Sequence, residues 1–147
     1  MDWVEERHCW ASQKGHRGGA YQFVLLYILL YIVGMADKPV VWLGSSLTDL
    51  RTFPTDVRQE AGFQLRRVQR GLMPTDSRPM SAIGPGVIEI RIHAKGEYRV
   101  LYVAKFAEAV YVLHAFQKKS HKTAQRDIVT ARRQSAELKR IRARRGG

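Results

Sequence analysis

The chain is poor in the residues that build covalent and metal frameworks. Cys9 is the single cysteine among 147 residues. One cysteine excludes an internal disulfide framework and any zinc site made from several cysteines. The five histidines are scattered and show no His-x-x-x-His spacing, so the sequence does not predict a metal enzyme.

The chain also lacks an apolar run long enough for a membrane span. Residues 21–33 form its longest nearly uncharged apolar run, whereas a span normally needs about 20 apolar residues. A signal peptide is one interpretation, because Lys14 and Arg17 precede the run and a small-residue site follows at 34–36. We favour the interpretation that residues 1–34 are translated upstream sequence and that Met35 is the natural start. A membrane-anchored or exported protein would depend wholly on residues 21–33.

Acidic residues are scarce, and the excess of positive charge is concentrated at one end. The chain has 25 Lys and Arg against 13 Asp and Glu, for a net charge of +12. Residues 117–147 hold eleven basic and two acidic residues, and so account for nine of those twelve charges. Such one-sided charge is typical of a nucleic-acid partner, with an anionic membrane or an acidic protein as lesser alternatives.

The pattern after Met35 predicts a small α+β domain. Residues 38–43 are predicted to be a first strand, because β-branched and aromatic residues follow a proline. The Ser-x-x-acid pattern at 46–49 predicts the start of a first helix. Pro54 suits the first turn of a second helix, and Gly71 suits its end.

The second half of the chain predicts strands followed by a helix. Residues 73–86 contain three prolines and two glycines, which predicts a loop. Three strands are expected at 87–93, 97–106 and 109–116, and their short connections indicate a consecutive antiparallel meander. A basic C-terminal helix is expected from residue 122 onward.

Basic side chains that this fold would bring together are the candidate functional residues. Arginine offers two-pronged donation to phosphate oxygens, while lysine acts as a movable point charge. RNA cleavage by its own 2′-OH needs a base, a stabiliser of the charged phosphorus centre and an acid for the leaving 5′-oxygen. His121 is a candidate acid or base, because histidine titrates near neutral pH. The candidates are Arg91, Arg99, Lys118, Lys119 and His121.

Simpler interpretations of neighbouring residues stay open. Arg91 could pair with Glu89 or Glu97 across strands. His93, on an exposed strand face, is expected to be solvated, and His114, in an apolar strand, is expected to be a hydrogen-bonded core residue. The tyrosines of the strands are expected to pack in the core: Tyr98, Tyr102 and Tyr111.

The stretch from about residue 41 to 134 resembles the HigB-like toxins, the phage-derived branch of the RelE/ParE superfamily of type II toxin–antitoxin modules. The resemblance rests on VWLGSSLTDL (41–50), FPTDVRQEAG (53–62) and PMSAIGPGVIEIRI (79–92). Its most telling part is YRVLYVAKFAEAVYVLHAFQKKSHKT (98–123).

This resemblance implies a RelE-like toxin domain over residues 35–147. It implies a cytoplasmic, metal-independent endoribonuclease that cleaves mRNA on the ribosome and inhibits translation. The implied partners are that mRNA and a cognate antitoxin with a helix-turn-helix, and no cofactor is implied. The matching catalytic positions would be the five candidates above. The Asp-Tyr-His ending of some HigB proteins is absent, so the resemblance does not assign each residue's role.

Two other functions compete with the nuclease. A DNA gyrase inhibitor like the ParE branch would need no acid or base residues, and an inactive copy would retain only antitoxin binding. The cluster of Lys118, Lys119 and His121 favours the nuclease, because a gyrase inhibitor has less need of a converging phosphate site.

Overall fold

The computed structural model describes residues 21–29 and 37–146. The chain divides into two compact units, Met1–Ala36 and Asp37–Gly147. In the first unit, residues 21–29 are helical and their side chains are exposed. The features weighed for a signal peptide, namely Lys14, Arg17 and residues 34–36, lie outside the described residues. Within the described ranges, no helix combines the length and apolar character that crossing a membrane requires.

The second unit is an α+β domain built on one five-stranded sheet. The strands are ordered β1-β5-β4-β3-β2, with β1 parallel to β5 and all other neighbours antiparallel. This confirms the predicted fold class and the predicted order of strand, two helices, meander and C-terminal helix. The elements are β1 (Val40–Trp42), α1 (Ser46–Arg51), α2 (Thr55–Gln69), β2 (Ser77–Pro79), β3 (Val87–His93), β4 (Glu97–Val103), β5 (Val110–Lys118) and α3 (Gln125–Gly146).

A short edge strand occupies part of the segment that the sequence predicted to be loop. β2 pairs with β3 in the register Ser77 to Ile90 and Pro79 to Ile88. A proline is tolerated there because an edge strand leaves one side of its backbone unpaired. At the other edge of the meander, β5 continues to Lys118 rather than ending at residue 116. Lys118 is therefore held by the sheet and not by a loop.

The helix boundaries follow glycine and proline, although one predicted cap is shifted. Ser46 is inside α1, and the preceding Ser45 donates its hydroxyl proton to the Asp49 carboxylate at 2.8 Å. The pattern at 46–49 thus predicted the start of α1 correctly, but Ser45 and not Ser46 occupies the capping position. α2 begins directly after Pro54, and Gly71 follows its end with a φ of +83°. That left-handed backbone suits glycine, which confirms Gly71 as the terminator.

The sheet is covered on both faces, and two apolar clusters result. On one face, the α2 residues Val57, Ala61 and Leu65 pack against the even-numbered side chains of β3 and β4. On the other face, Ala131 and Leu138 of α3 belong to the cluster of Leu101, Val103 and Tyr111. The three strand tyrosines are buried, as expected. Burial raises the pKa of Tyr102 to about 12.

Candidate functional site

Strand register arranges charged side chains in rows on the sheet face that α3 packs against. One row, at the end of the sheet where β5 finishes, contains His93, Glu97 and Lys118. Residues two apart on a strand share a face, so the next row lies on that same face. It contains Arg91, Arg99 and Phe116.

Arg99 is buried within this face. Only 3% of the residue is exposed. Its Nε lies 3.6 Å from Glu89 Oε1, one Nη lies 3.6 Å from Glu97 Oε1, and the other Nη donates to the Tyr98 carbonyl at 2.9 Å. Among the described residues, Nε has no hydrogen-bond acceptor. In this conformation the guanidinium holds carboxylates and does not present its donors to a ligand.

Arg91 pairs with Asp76, and not with Glu89 or Glu97 as the sequence predicted. Its Nε lies 3.8 Å from Asp76 Oδ1, and Glu89 lies instead near Arg99. Arg91 lines a depression of about 360 Å³ together with Asp56, Glu60 and Asp76. His93 also lines this depression, and three carboxylates against two basic side chains make it a poor place for a phosphate.

The remaining three candidates lie around a second depression, of about 410 Å³. Lys118 is the last residue of β5, and Lys119 and His121 belong to the exposed loop that follows it. The loop is shaped by the Ser120 hydroxyl, which donates to the Lys122 carbonyl at 2.7 Å. Glu97 is the one carboxylate among the residues that line it.

The basic side chains of this depression are not neutralised by partners. Within residues 21–29 and 37–146, no ion pair or side-chain hydrogen bond engages Lys118, Lys119 or His121. Unpaired cations converging on one concavity retain their attraction for an anion. The structure thus brings three of the five candidates together. Arg99 adjoins them through Glu97. Arg91 lies two strands and one row away from Lys118, which at normal strand spacing separates their backbones by more than about 10 Å.

The hydrogen bonds of His93 to two carboxylates were not predicted from the sequence. Its Nδ1 lies 2.6 Å from Glu97 Oε2 and its Nε2 lies 2.7 Å from Asp76 Oδ2, so it is clamped and not merely solvated. Hydrogen bonds to Asp76 and then to Glu97 raise the pKa of His93 above its usual 6.5. The hydrogen bond from His93 lowers the pKa of Glu97 below its usual 4.5. Both shifts favour the charged pair, an imidazolium on His93 and a carboxylate on Glu97.

Part of this clamp had a signal in the sequence. His93 and Glu97 close the hairpin whose turn is residues 94–96, and turn length sets the register that places them opposite each other. The contact between His93 and Asp76 had no such signal. Asp76 directly precedes the short strand β2, which the composition of this segment did not predict.

His114 is a core residue, as the sequence analysis expected. It is buried, its Nε2 lies 2.8 Å from Asp127 Oδ1, and its ring stacks on Phe116 at 5.2 Å between centroids. Its Nδ1 has no hydrogen-bond partner in the described part of the chain and lies 3.9 Å from Asp49 Oδ2. Asp127 belongs to the first turn of α3, so this contact fastens α3 to the sheet.

No cluster suited to a metal ion is found in the part of the chain that the structure describes. There, no group of three or more histidine, cysteine or acidic side chains is placed to hold one.

Comparison with known families places most of the domain in a described family. Residues 48–136 match the family described as Phage derived protein Gp49-like (DUF891). The match covers more than half of the chain, and it contains the last four residues of α1, all of α2, strands β2 to β5 and all five candidate residues. Among curated proteins, none matches this chain.

Proposed function

Because the chain belongs to the Gp49-like family, which is part of the RelE-like group of toxin–antitoxin toxins, we propose that it is a ribosome-dependent mRNA endonuclease. Cleavage of translated messages would inhibit protein synthesis in the cytoplasm. A cognate antitoxin carrying a helix-turn-helix would neutralise it. The proposed reaction uses the 2′-OH of the RNA as nucleophile and needs no metal ion.

The observation that supports this proposal is the unpaired cluster of Lys118, Lys119 and His121 around the depression of about 410 Å³. Two ammonium groups would hold a backbone phosphate and offset the charge that develops on it. An imidazole at the same place would exchange a proton with a ribose or leaving oxygen. A protein that only binds another protein has no need of this combination.

The two arginines have a supporting part in this proposal. Arg99 would hold Glu97 and Glu89 in place, and Arg91 would hold Asp76. Their positive charge would offset those carboxylates, which otherwise would repel RNA. Lys118, Lys119 and His121 would then be the groups that touch the scissile phosphate.

The test is induced expression of the full chain in bacteria, with the 5′ ends of cellular mRNA mapped. We expect growth arrest and new 5′ ends inside translated reading frames. Lys119→Ala should lower cleavage by about 100-fold, the usual effect of removing one donor from a developing anion. Lys105→Ala is the matched control, because Lys105 is also exposed but lies beyond the opposite end of β4.

The alternative outcomes identify the competing functions. Arrest with intact messages would indicate a gyrase-type target. Absence of arrest would indicate an inactive protein that only binds antitoxin. A parallel expression of residues 35–147 tests the further proposal that this part is the toxin domain; it should arrest growth as strongly as the full chain.

A further inference from the structure

We propose that Glu97 is the general base that removes the proton from the 2′-OH, and that His93 positions it. This inference rests on the proposed endonuclease function and assigns the catalytic carboxylate of the same site. It comes from the geometry around Glu97, a residue that the sequence analysis treated only as a partner for Arg91.

Glu97 lies where a general base would be needed. It lines the depression formed by Lys118, Lys119, Ser120 and His121, and its side chain is 44% exposed. It stands directly opposite Lys118 in the strand register. A phosphate held by the two lysines would therefore bring the adjacent ribose to the Glu97 carboxylate.

A chain of hydrogen bonds fixes the orientation of this carboxylate. Asp76 accepts from Nε2 of His93 at 2.7 Å, and Nδ1 of His93 donates to the Glu97 carboxylate, 2.6 Å from Oε2 and 2.9 Å from Oε1. A carboxylate has about four acceptor positions, so the bond from His93 leaves others free for a ribose hydroxyl. His93 is saturated at both nitrogens and thus acts as a positioning residue.

The surroundings keep Glu97 free of a proton before reaction. The groups that face it are His93 from β3, Arg99 from β4, Lys118 from β5, and Lys119 and His121 from the following loop. Arg99, Lys118 and Lys119 carry positive charge, and the hydrogen bonds of His93 raise its pKa and so favour its charged form. The His93 hydrogen bond lowers the pKa of Glu97, in agreement with an ionised base.

The reaction balances with groups already present. The 2′-OH gives its proton to Glu97 while its oxygen bonds to phosphorus, and Lys118 and Lys119 offset the added negative charge. The bond from phosphorus to the 5′-oxygen breaks, and that oxygen takes a proton from protonated His121. The products are a 2′,3′-cyclic phosphate and a 5′-hydroxyl. Transfer of the proton from Glu97 to solvent restores the site.

The first measurement is single-turnover cleavage of a ribosome-bound message by full-length protein at saturation, at a linkage that the wild type cuts. Glu97→Gln keeps the shape of the side chain but cannot take up the proton. We expect a loss of about 100-fold or more in rate, the usual contribution of a general base. Ribosome binding and melting temperature should stay near the wild-type values. Glu137→Gln, a partly exposed site on α3, should leave the rate unchanged.

The second measurement separates base from acid and from a structural role. In a message with sulfur replacing the leaving 5′-oxygen, the leaving thiolate needs no acid because thiols are far more acidic than alcohols. This substrate should restore cleavage by His121→Ala but not by Glu97→Gln. His93→Gln should slow cleavage in the wild-type background and cause little further loss in the Glu97→Gln background, because the two residues act as a unit.

The outcomes distinguish the two levels of inference. Wild-type rates in Glu97→Gln, or its rescue by the sulfur substrate, would overturn the role of Glu97 and leave the endonuclease standing. A wild-type protein that leaves ribosome-bound messages intact would overturn both.

Discussion

At the scale of single residues, the burial of Arg99 indicates a structural role for a residue that the sequence predicted to be catalytic. The Arg99 and Glu89 side chains are 4% and 7% exposed, and their charged atoms approach to 3.6 Å. Removal of one partner from a buried pair leaves the other charge uncompensated, which typically costs 3–5 kcal/mol. We therefore predict that Arg99→Met lowers the free energy of unfolding by about 3 kcal/mol, measured by urea denaturation of the full chain.

The matched variant for this prediction is Arg99→Met combined with Glu89→Gln. Neutralising both partners should recover most of the lost stability, because no unpaired charge stays buried. If Arg99→Met instead unfolds at the wild-type urea concentration, the pair is not structural. Loss of cleavage in that variant would then indicate a direct contact between Arg99 and RNA.

The residue scale also shows what the sequence could and could not predict about the site. The sequence predicted that the fold would bring Arg91 and Arg99 together, and they are direct neighbours in the register of β3 and β4. It could not predict that Arg99 is buried, because burial depends on what packs over the sheet. Nor could it predict the contact between His93 and Asp76, which are separated by 17 positions and joined through an unrecognised edge strand.

At the scale of elements, the attachment of α3 to the sheet depends on the buried contact of His114 with Asp127. A buried group that loses its hydrogen-bond partner costs about 1–3 kcal/mol. We predict that Asp127→Ala lowers the free energy of unfolding by about 2 kcal/mol and speeds amide hydrogen exchange in the first turn of α3.

The control for this element is Glu137→Ala. Glu137 is paired with Arg140 three residues away on the partly exposed surface of the same helix, and such pairs contribute about 0.5 kcal/mol or less. Equal destabilisation by both variants would mean that Asp127 acts through helix propensity or charge and not through His114.

Elements joined by short connections were predictable, and long-range pairings were not. The meander of β3, β4 and β5 follows from alternation and short turns, which are local properties. The parallel pairing of Val41 in β1 with Tyr111 in β5 joins segments separated by two helices and three strands. Such a pairing depends on how α1 and α2 pack as a crossover, and the local sequence does not specify it.

At the scale of the whole molecule, the charge distribution was predictable because net charge does not depend on the fold. The structure adds where the charge is exposed. Most basic residues of α3 are exposed to solvent, whereas the apolar side of the helix faces the sheet. Three of these basic residues have partners, since Arg140 pairs with Glu137, Arg142 pairs with Glu108, and Nε of Arg132 donates to the Ala82 carbonyl at 3.2 Å. The others extend the positive surface beyond the depression around Lys119.

Substitutions of Arg144 and Arg145, in the last turn of α3, test whether the positive surface of this helix contributes to RNA binding or to catalysis. Both are exposed, and no described residue pairs with them. Reversal to Arg144→Glu and Arg145→Glu should weaken ribosome binding. It should also reduce the slope of log affinity against log salt by about 0.7 for each lost contact with single-stranded RNA. The cleavage rate at saturation should not change, because Lys119 directly follows β5 whereas Arg144 and Arg145 lie at the far end of α3.

The control is Arg144→Lys with Arg145→Lys, which preserves the charge and should preserve the slope. A fall in the saturating rate with an unchanged slope would place the tail in the catalytic site and not in the electrostatic approach to RNA.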